Sequence, residues 1–187
     1  MRELADAERI RRFLRELGRA ADSEAVVYLA GGATAVLEGW RSTTLDVDLK
    51  LEPESESLLR ALRRLKDELA LNVELATPAE FIPLPAGWED RSRFVVREGM
   101  VTFRHFDPVA QALAKLERGH DRDLADVRAM LDRGLVEAPT IRAAFAEIES
   151  ELYRFPAIDP AAFQTRVESL LSEQAGPSSL AEESEDA

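Results

Sequence analysis

Asp46 and Asp48, one residue apart in the stretch LDVDLKLE, are the residues whose type and spacing most directly suit chemistry. Leu45, Val47, Leu49 and Leu51 alternate with Asp46, Asp48, Lys50 and Glu52, the period of a strand with one face on a core and one face open. The two carboxylates then share a face, about 6.5–7 Å apart at the backbone, and can reach one divalent cation or bracket two. Mg2+, or Mn2+ in its place, takes hard oxygen ligands and fills its remaining positions with water and substrate phosphates. A solvated strand face gives the same alternation with no chemistry. Aspartate is nevertheless unfavourable in strands because it competes for backbone hydrogen bonds, a cost that a metal would explain.

A third carboxylate is available from LNVEL, where Glu74 and Asn72 alternate with Leu71, Val73 and Leu75. Two metals held by such a triad would stabilise the attacking and leaving oxygens of an in-line phosphoryl displacement. Upstream, Gly31 and Gly32 follow the apolar run AVVYLA and precede a short helical segment. A glycine pair there either makes a tight strand-to-helix connection or lets backbone N–H groups approach a triphosphate, with Thr34 adding a hydroxyl. Only three of the 24 basic residues are lysines, Lys50, Lys66 and Lys115, so a retained lysine merits attention. Lys115 suits either a solvated helix position or a phosphate contact. His105 reads as structural, His120 as part of an inter-helix turn, and Arg91 and Arg93 as a charged loop rim.

The elements that must position these groups follow from patterning. Arg2 to Ala20 is expected as an amphipathic helix, with Ile10, Phe13, Leu14 and Leu17 at helical spacing. Ala25 to Ala30 is expected as a buried strand, Gly31 and Gly32 as its turn, and Ala33 to Glu38 as a short helix ended by Gly39. Strand Leu45 to Glu52, a helix to Leu69 and strand Leu71 to Leu75 come next. Pro78 to Trp88 is a proline-rich loop or single turn, and Arg93 to Arg97 with Met100 to Phe106 forms a hairpin. Asp107-Pro108 supplies an N-cap and a first helical position for Val109 to Arg118. Helices at Asp121 to Arg133, Pro139 to Tyr153 and Pro160 to Gln174 complete the chain. The order predicts an α+β fold, a small mixed sheet with flanking helices followed by a helical C-terminal part. Residues 1–106 form the core, 107–174 a helical region packed on it, and 175–187 a disordered acidic tail.

Composition narrows the classes. There is no cysteine, which removes disulfides and thiolate metal sites. No run of about 18 apolar residues exists to span a membrane, and the charged start lacks the apolar stretch of a secretory signal, so a soluble, cytoplasmic protein is expected. A net charge of −12 opposes non-specific attraction to nucleic-acid backbone, without forbidding a local basic patch.

Glycine pair, Asp-x-Asp and later carboxylate, in a strand-turn-helix-strand frame, together resemble the nucleotidyltransferase superfamily with the DNA polymerase beta-like fold. Arg41, Ser42, Thr43 and Thr44 ahead of Asp46 look like the lead-in of its bacterial toxin-like branch, related to abortive-infection type IV toxins. "AKLERGHDRDLADV" is similar to that branch's Lys…Arg…Asp…Asp signature, matched by Lys115, Arg118, Asp123 and Asp126. Pairing of Asp123 and Asp126 with Arg122, or helix capping, is the alternative account of those two acids. The resemblance covers roughly Val26 to Leu131.

It implies a metal site of Asp46, Asp48 and Glu74, with Glu74 orienting or deprotonating the attacking hydroxyl. It also implies nucleotide contacts from Gly31, Gly32, Thr34, Arg41, Thr44 and Arg118, with Lys115 or Arg41 neutralising charge on the triphosphate. The implied activity is transfer of a nucleoside monophosphate from an NTP to RNA, protein or a small molecule. The alternative is a non-catalytic module of the same fold that binds a nucleotide or partner, related to toxin–antitoxin pairs.

Overall fold

The computed structural model describes residues 3–174. The expected acidic tail lies outside the described residues. Five strands form one sheet in the order β3-β2-β1-β5-β4: β1 (Ala25–Ala30), β2 (Asp46–Glu52), β3 (Asn72–Leu75), β4 (Arg93–Glu98) and β5 (Val101–His105). The sheet is mixed, with β1 antiparallel to β2 and parallel to β5, β2 parallel to β3, and β4 antiparallel to β5. The α+β architecture expected from the sequence is thus the one observed.

Helices α1 (Ala7–Ala20) and α3 (Glu56–Glu68) cover one sheet face. They bury Ile10, Phe13, Leu14 and Leu17 from α1 and Leu58, Leu62 and Leu65 from α3 against Val27, Leu29, Val47, Leu49 and Phe103. Each such side chain taken from water contributes about 1.5–3 kcal/mol, an upper figure for a chain that is partly compact when unfolded. Alternation along β2 does the sorting: Val47, Leu49 and Leu51 are buried, while Asp46, Asp48 and Lys50 are only partly covered on the other face.

Beyond β5, α5 (Pro108–Arg118), α6 (Asp121–Asp132), α7 (Ala138–Glu149) and α8 (Pro160–Gln174) bury a second apolar cluster that includes Leu113, Val127, Ile141 and Phe163. Asp107 caps α5 through Val109 N at 3.0 Å, and Pro108 opens the helix. A smaller cluster of Tyr28, Ala30, Phe106 and Ala110 joins α5 to the open face of the sheet. That junction places the end of α5 beside the carboxylates of β2.

Several boundaries differ from the pattern-based reading. Leu4 and Ala5 are not helical. Asp6 caps α1 by accepting from Arg9 N at 2.9 Å, so the helix starts at Ala7 and Ala5 is free to pair in antiparallel fashion with Thr44. Gly31 and Gly32 form the first turn of α2 (Gly31–Leu37) rather than a separate connection. Strand β2 starts at Asp46, and Leu45 stays 51% exposed instead of joining the core. The proline-rich segment holds a single 3-10 turn, Pro78–Glu80, within the expected range, and the unexpected single-turn helix α4 (Trp88–Arg91) follows at its end. Helix α7 stops at Glu149, before a 3-10 turn at Leu152–Arg154.

Candidate active site

Register brings the three carboxylates together. Asp48 lies opposite Glu74 and Asp46 opposite Asn72 in the parallel β2–β3 pair, so all four side chains stand on one sheet face. Asp46, Asp48 and Glu74 line one pocket, which Gly31, Lys115 and Arg118 also line. Asn72 donates from Nδ2 to Asp46 Oδ1 at 2.5 Å and to Glu74 Oε1 at 2.9 Å, tying the two acids through one amide. Its own Oδ1 is buried and has no hydrogen-bond partner among the described residues.

Burial, and then the neighbouring charges of Asp46 and Glu74, push the Asp48 carboxyl up to about 6; Arg118 and Lys115 pull weakly the other way. Gly31 gives Asp48 its room. Its φ is +56°, and a Cβ there would lie 2.4 Å from Asp48 Oδ2. Gly32 is equally constrained, since a Cβ would come within 1.9 Å of Thr44 Oγ1.

The cationic side comes from α5. Lys115, only 4% exposed, donates to Asp126 Oδ2 at 2.6 Å and Asp123 Oδ1 at 3.3 Å. Arg118 Nη2 donates to Asp123 Oδ1 at 2.7 Å. Arg41 forks onto Asp126 through Nε at 2.8 Å and through Nη2, and Trp40 Nε1 adds a fourth donor at 3.0 Å. The Lys…Arg…Asp…Asp spacing therefore has a physical meaning: two acids on α6 hold two α5 cations and one from the loop before β2. Arg122 is not their partner.

Of the residues expected to contact nucleotide or metal, Gly31, Asp46, Asp48, Glu74, Lys115 and Arg118 reach the pocket. Gly32, Thr34, Arg41 and Thr44 do not line it. Thr44 is buried and donates to Asp46 O at 3.0 Å, supporting the start of β2. Thr34 is buried with its hydroxyl 3.1 Å from both Leu29 O and His105 Nδ1, facing the interior rather than a ligand. Arg41 acts on the pocket only through Asp126.

His105 is buried, and desolvation, aided by Arg93, holds its imidazole down to about 4. His105 Nε2 lies 3.2 Å from Glu38 Oε1, and Nδ1 lies 3.1 Å from the Thr34 hydroxyl, which donates to Leu29 O. His120 is the residue before α6, Arg91 pairs with Asp107, and Arg93 pairs with Glu38.

Three residues of the site carry no motif. Gln111 accepts from Gly31 N at 2.9 Å and donates to Phe106 O at 2.8 Å, so the Gly31 N–H is engaged by protein. Asn72 is the amide described above. Phe81, at 40% exposure, lines the pocket beside Arg118. The polar-apolar alternation of β3 hints at Asn72; Gln111 and Phe81 leave no signal in the pattern.

The pocket carries three carboxylates, while its two cations are already matched by Asp123 and Asp126. A polyanionic ligand entering it meets net negative charge unless cations come with it. The donor set is all oxygen, as a hard divalent cation requires, and one or two carboxylates suffice when substrate phosphates supply other ligands. Among the described residues, no group of three or more histidine, aspartate or glutamate side chains is placed to hold a metal ion by itself. The oxygen donors present would suit only a cation that takes its remaining ligands from substrate and water.

The mixed sheet, its flanking helices and this acidic pocket define a nucleotidyltransferase-like α+β fold. Residues 6–169 match the family described as "Nucleotidyltransferase of unknown function (DUF6036)", and the chain belongs to it. No curated protein and no solved structure matches the chain. Among the described residues, no helix is long and apolar enough to cross a membrane.

Proposed function

We propose that the chain is a Mg2+-dependent nucleotidyltransferase, with Mn2+ able to substitute. It moves a nucleoside monophosphate from an NTP to an acceptor hydroxyl on RNA, protein or a small molecule. The observation that carries this reading is the shared pocket of Asp46, Asp48 and Glu74 from adjoining strands with Lys115 and Arg118 from α5. Asp46 and Asp48 would hold the metal, with Glu74 beside them. When bound, the metal supplies charge neutralisation and polarisation of the phosphate oxygens.

The acceptor oxygen forms a bond to the α-phosphorus, the bond from that phosphorus to the bridging oxygen breaks, and pyrophosphate leaves with the electron pair. Glu74 orients the hydroxyl and takes its proton. Lys115 and Arg118 keep donors that Asp123 and Asp126 do not use, and these neutralise charge on the departing phosphates. Because both cations are pinned, no reorganisation is needed at the moment of transfer.

Incubation with each α-labelled NTP, Mg2+, cellular RNA and protein tests the reading. The expected result is a labelled acceptor and released pyrophosphate, lost in Asp46→Ala and Asp48→Ala. Unchanged NTP across a broad acceptor panel would overturn it. A second reading, nucleotide binding without turnover, draws support from the Asn72 amide that cross-links Asp46 and Glu74. Calorimetric NTP binding with no product in any acceptor mixture would establish that one instead.

A further inference from the structure

Phe81 is an exposed aromatic on a rigid support. It directly follows the 3-10 turn Pro78–Glu80, closed by a reciprocal capping box in which Glu80 N approaches the Thr77 side chain and Thr77 N donates to Glu80 Oε1 at 2.9 Å. Phe81 N and Ile82 N both donate to Pro78 O at 3.0 Å. The next side chain, Ile82, is fully buried in the helical cluster and anchors the segment. The backbone is thus fixed on both sides of an aromatic residue that stays 40% exposed. Such a ring gains little from packing and is held where it stands by its neighbours.

Its position is specific. Phe81 lines the pocket together with the apolar Pro78 and Ala114 as well as the carboxylates and Gly31. The Arg118 guanidinium lies 5.7 Å from the ring centroid and is itself tethered to Asp123 at 2.7 Å. A pre-positioned aromatic ring, backed by a tethered cation, makes a platform for a flat π-system on its open side. The same pocket holds the groups suited to phosphate and metal. A ligand that satisfies both halves is an aromatic base joined to a polyphosphate.

We infer that the Phe81 ring, backed on one side by Arg118, is the stacking platform for the nucleobase of the NTP. This assignment rests on the nucleotidyltransferase reading of the pocket and adds to it where the base sits. Base–aromatic stacking is sequence-tolerant and is weakened by about ten-fold or more when the ring is truncated.

The test is calorimetric binding in Mg2+ without acceptor, using non-hydrolysable α,β-methylene NTP analogues and inorganic tripolyphosphate as probes. The expected result is about ten-fold weaker analogue binding in Phe81→Ala, unchanged tripolyphosphate binding, and recovery in Phe81→Trp. Phe81→Trp should in addition show fluorescence quenching by the analogue that tripolyphosphate does not produce. Equal analogue affinity in wild type and Phe81→Ala overturns the platform and leaves the transferase reading standing. Failure of the wild-type protein to bind either probe overturns both.

Discussion

Lys115 and Asp126 form an ion pair at 2.6 Å with only 5% and 3% of their side chains exposed. Asp126 also receives Arg41 and Trp40, so one buried carboxylate satisfies donors from α5 and from the loop before β2. Removing one partner of a buried ion pair costs more than the pair contributes, since the other charge is left unpaired. Asp126→Ala should therefore lose about 3–5 kcal/mol by urea denaturation. Lys115→Met should lose less, because Asp126 keeps Arg41 and Trp40. Equal losses would show that Asp126 is not the hub.

Asp48 makes apo stability depend on pH in a defined direction. Its folded-state value, about 6, lies above the ordinary carboxylate value of 3.8, so the native state binds the proton more tightly than the unfolded chain. The stabilisation is complete below 3.8 and is lost as pH rises through about 6. Asp48→Asn should then be more stable than wild type by about 1–3 kcal/mol at neutral pH in chelator, with the advantage vanishing near pH 4. Parallel melting curves at both pH values would rule this out.

Divalent cation should act on the same charges. Millimolar Mg2+ or Mn2+ is expected to raise the melting temperature of wild type at neutral pH, by the mass action of a ligand that binds only the folded state. Asp46→Asn/Asp48→Asn should not respond. A shift of equal size in the double variant would place the ion elsewhere.

The two glycines of α2 should separate site from scaffold. Gly32→Ala drives a methyl into Thr44, a residue clamped by Ala5 through hydrogen bonds of 2.8 and 2.9 Å, and should cost about 1–3 kcal/mol of stability. Gly31→Ala meets the movable end of Asp48. It should lower NTP turnover by a larger factor than Gly32→Ala does at a temperature where both are folded. The reverse ranking would contradict the placement.

Much of this site could be read before any fold was known. Period-two alternation alone put Asp46 and Asp48 on one face, and the same pattern in LNVEL supplied Glu74. Whether two strands are neighbours in register is a tertiary fact, and the pairing of Asp48 with Glu74 settled it. The Lys115–Asp126 spacing was visible as a signature, but its partner Arg41 sits 85 residues away and was expected at the phosphates instead. Thr34 was misread in direction: a helical residue one turn on from Gly31 points where the helix turns it, here toward Leu29 O and His105. Gln111 and Phe81 were silent because neither an amide in a helix nor an aromatic in a loop departs from ordinary usage.

Gln111 has a mechanical consequence. Its single side chain joins the first residue of α2 to the last turn before α5, through Gly31 N and Phe106 O. Helix α5 carries Lys115 and Arg118, and Gly31 carries the clearance for Asp48, so cation and anion walls form one braced frame. The spacing between those two walls is therefore set by that one amide.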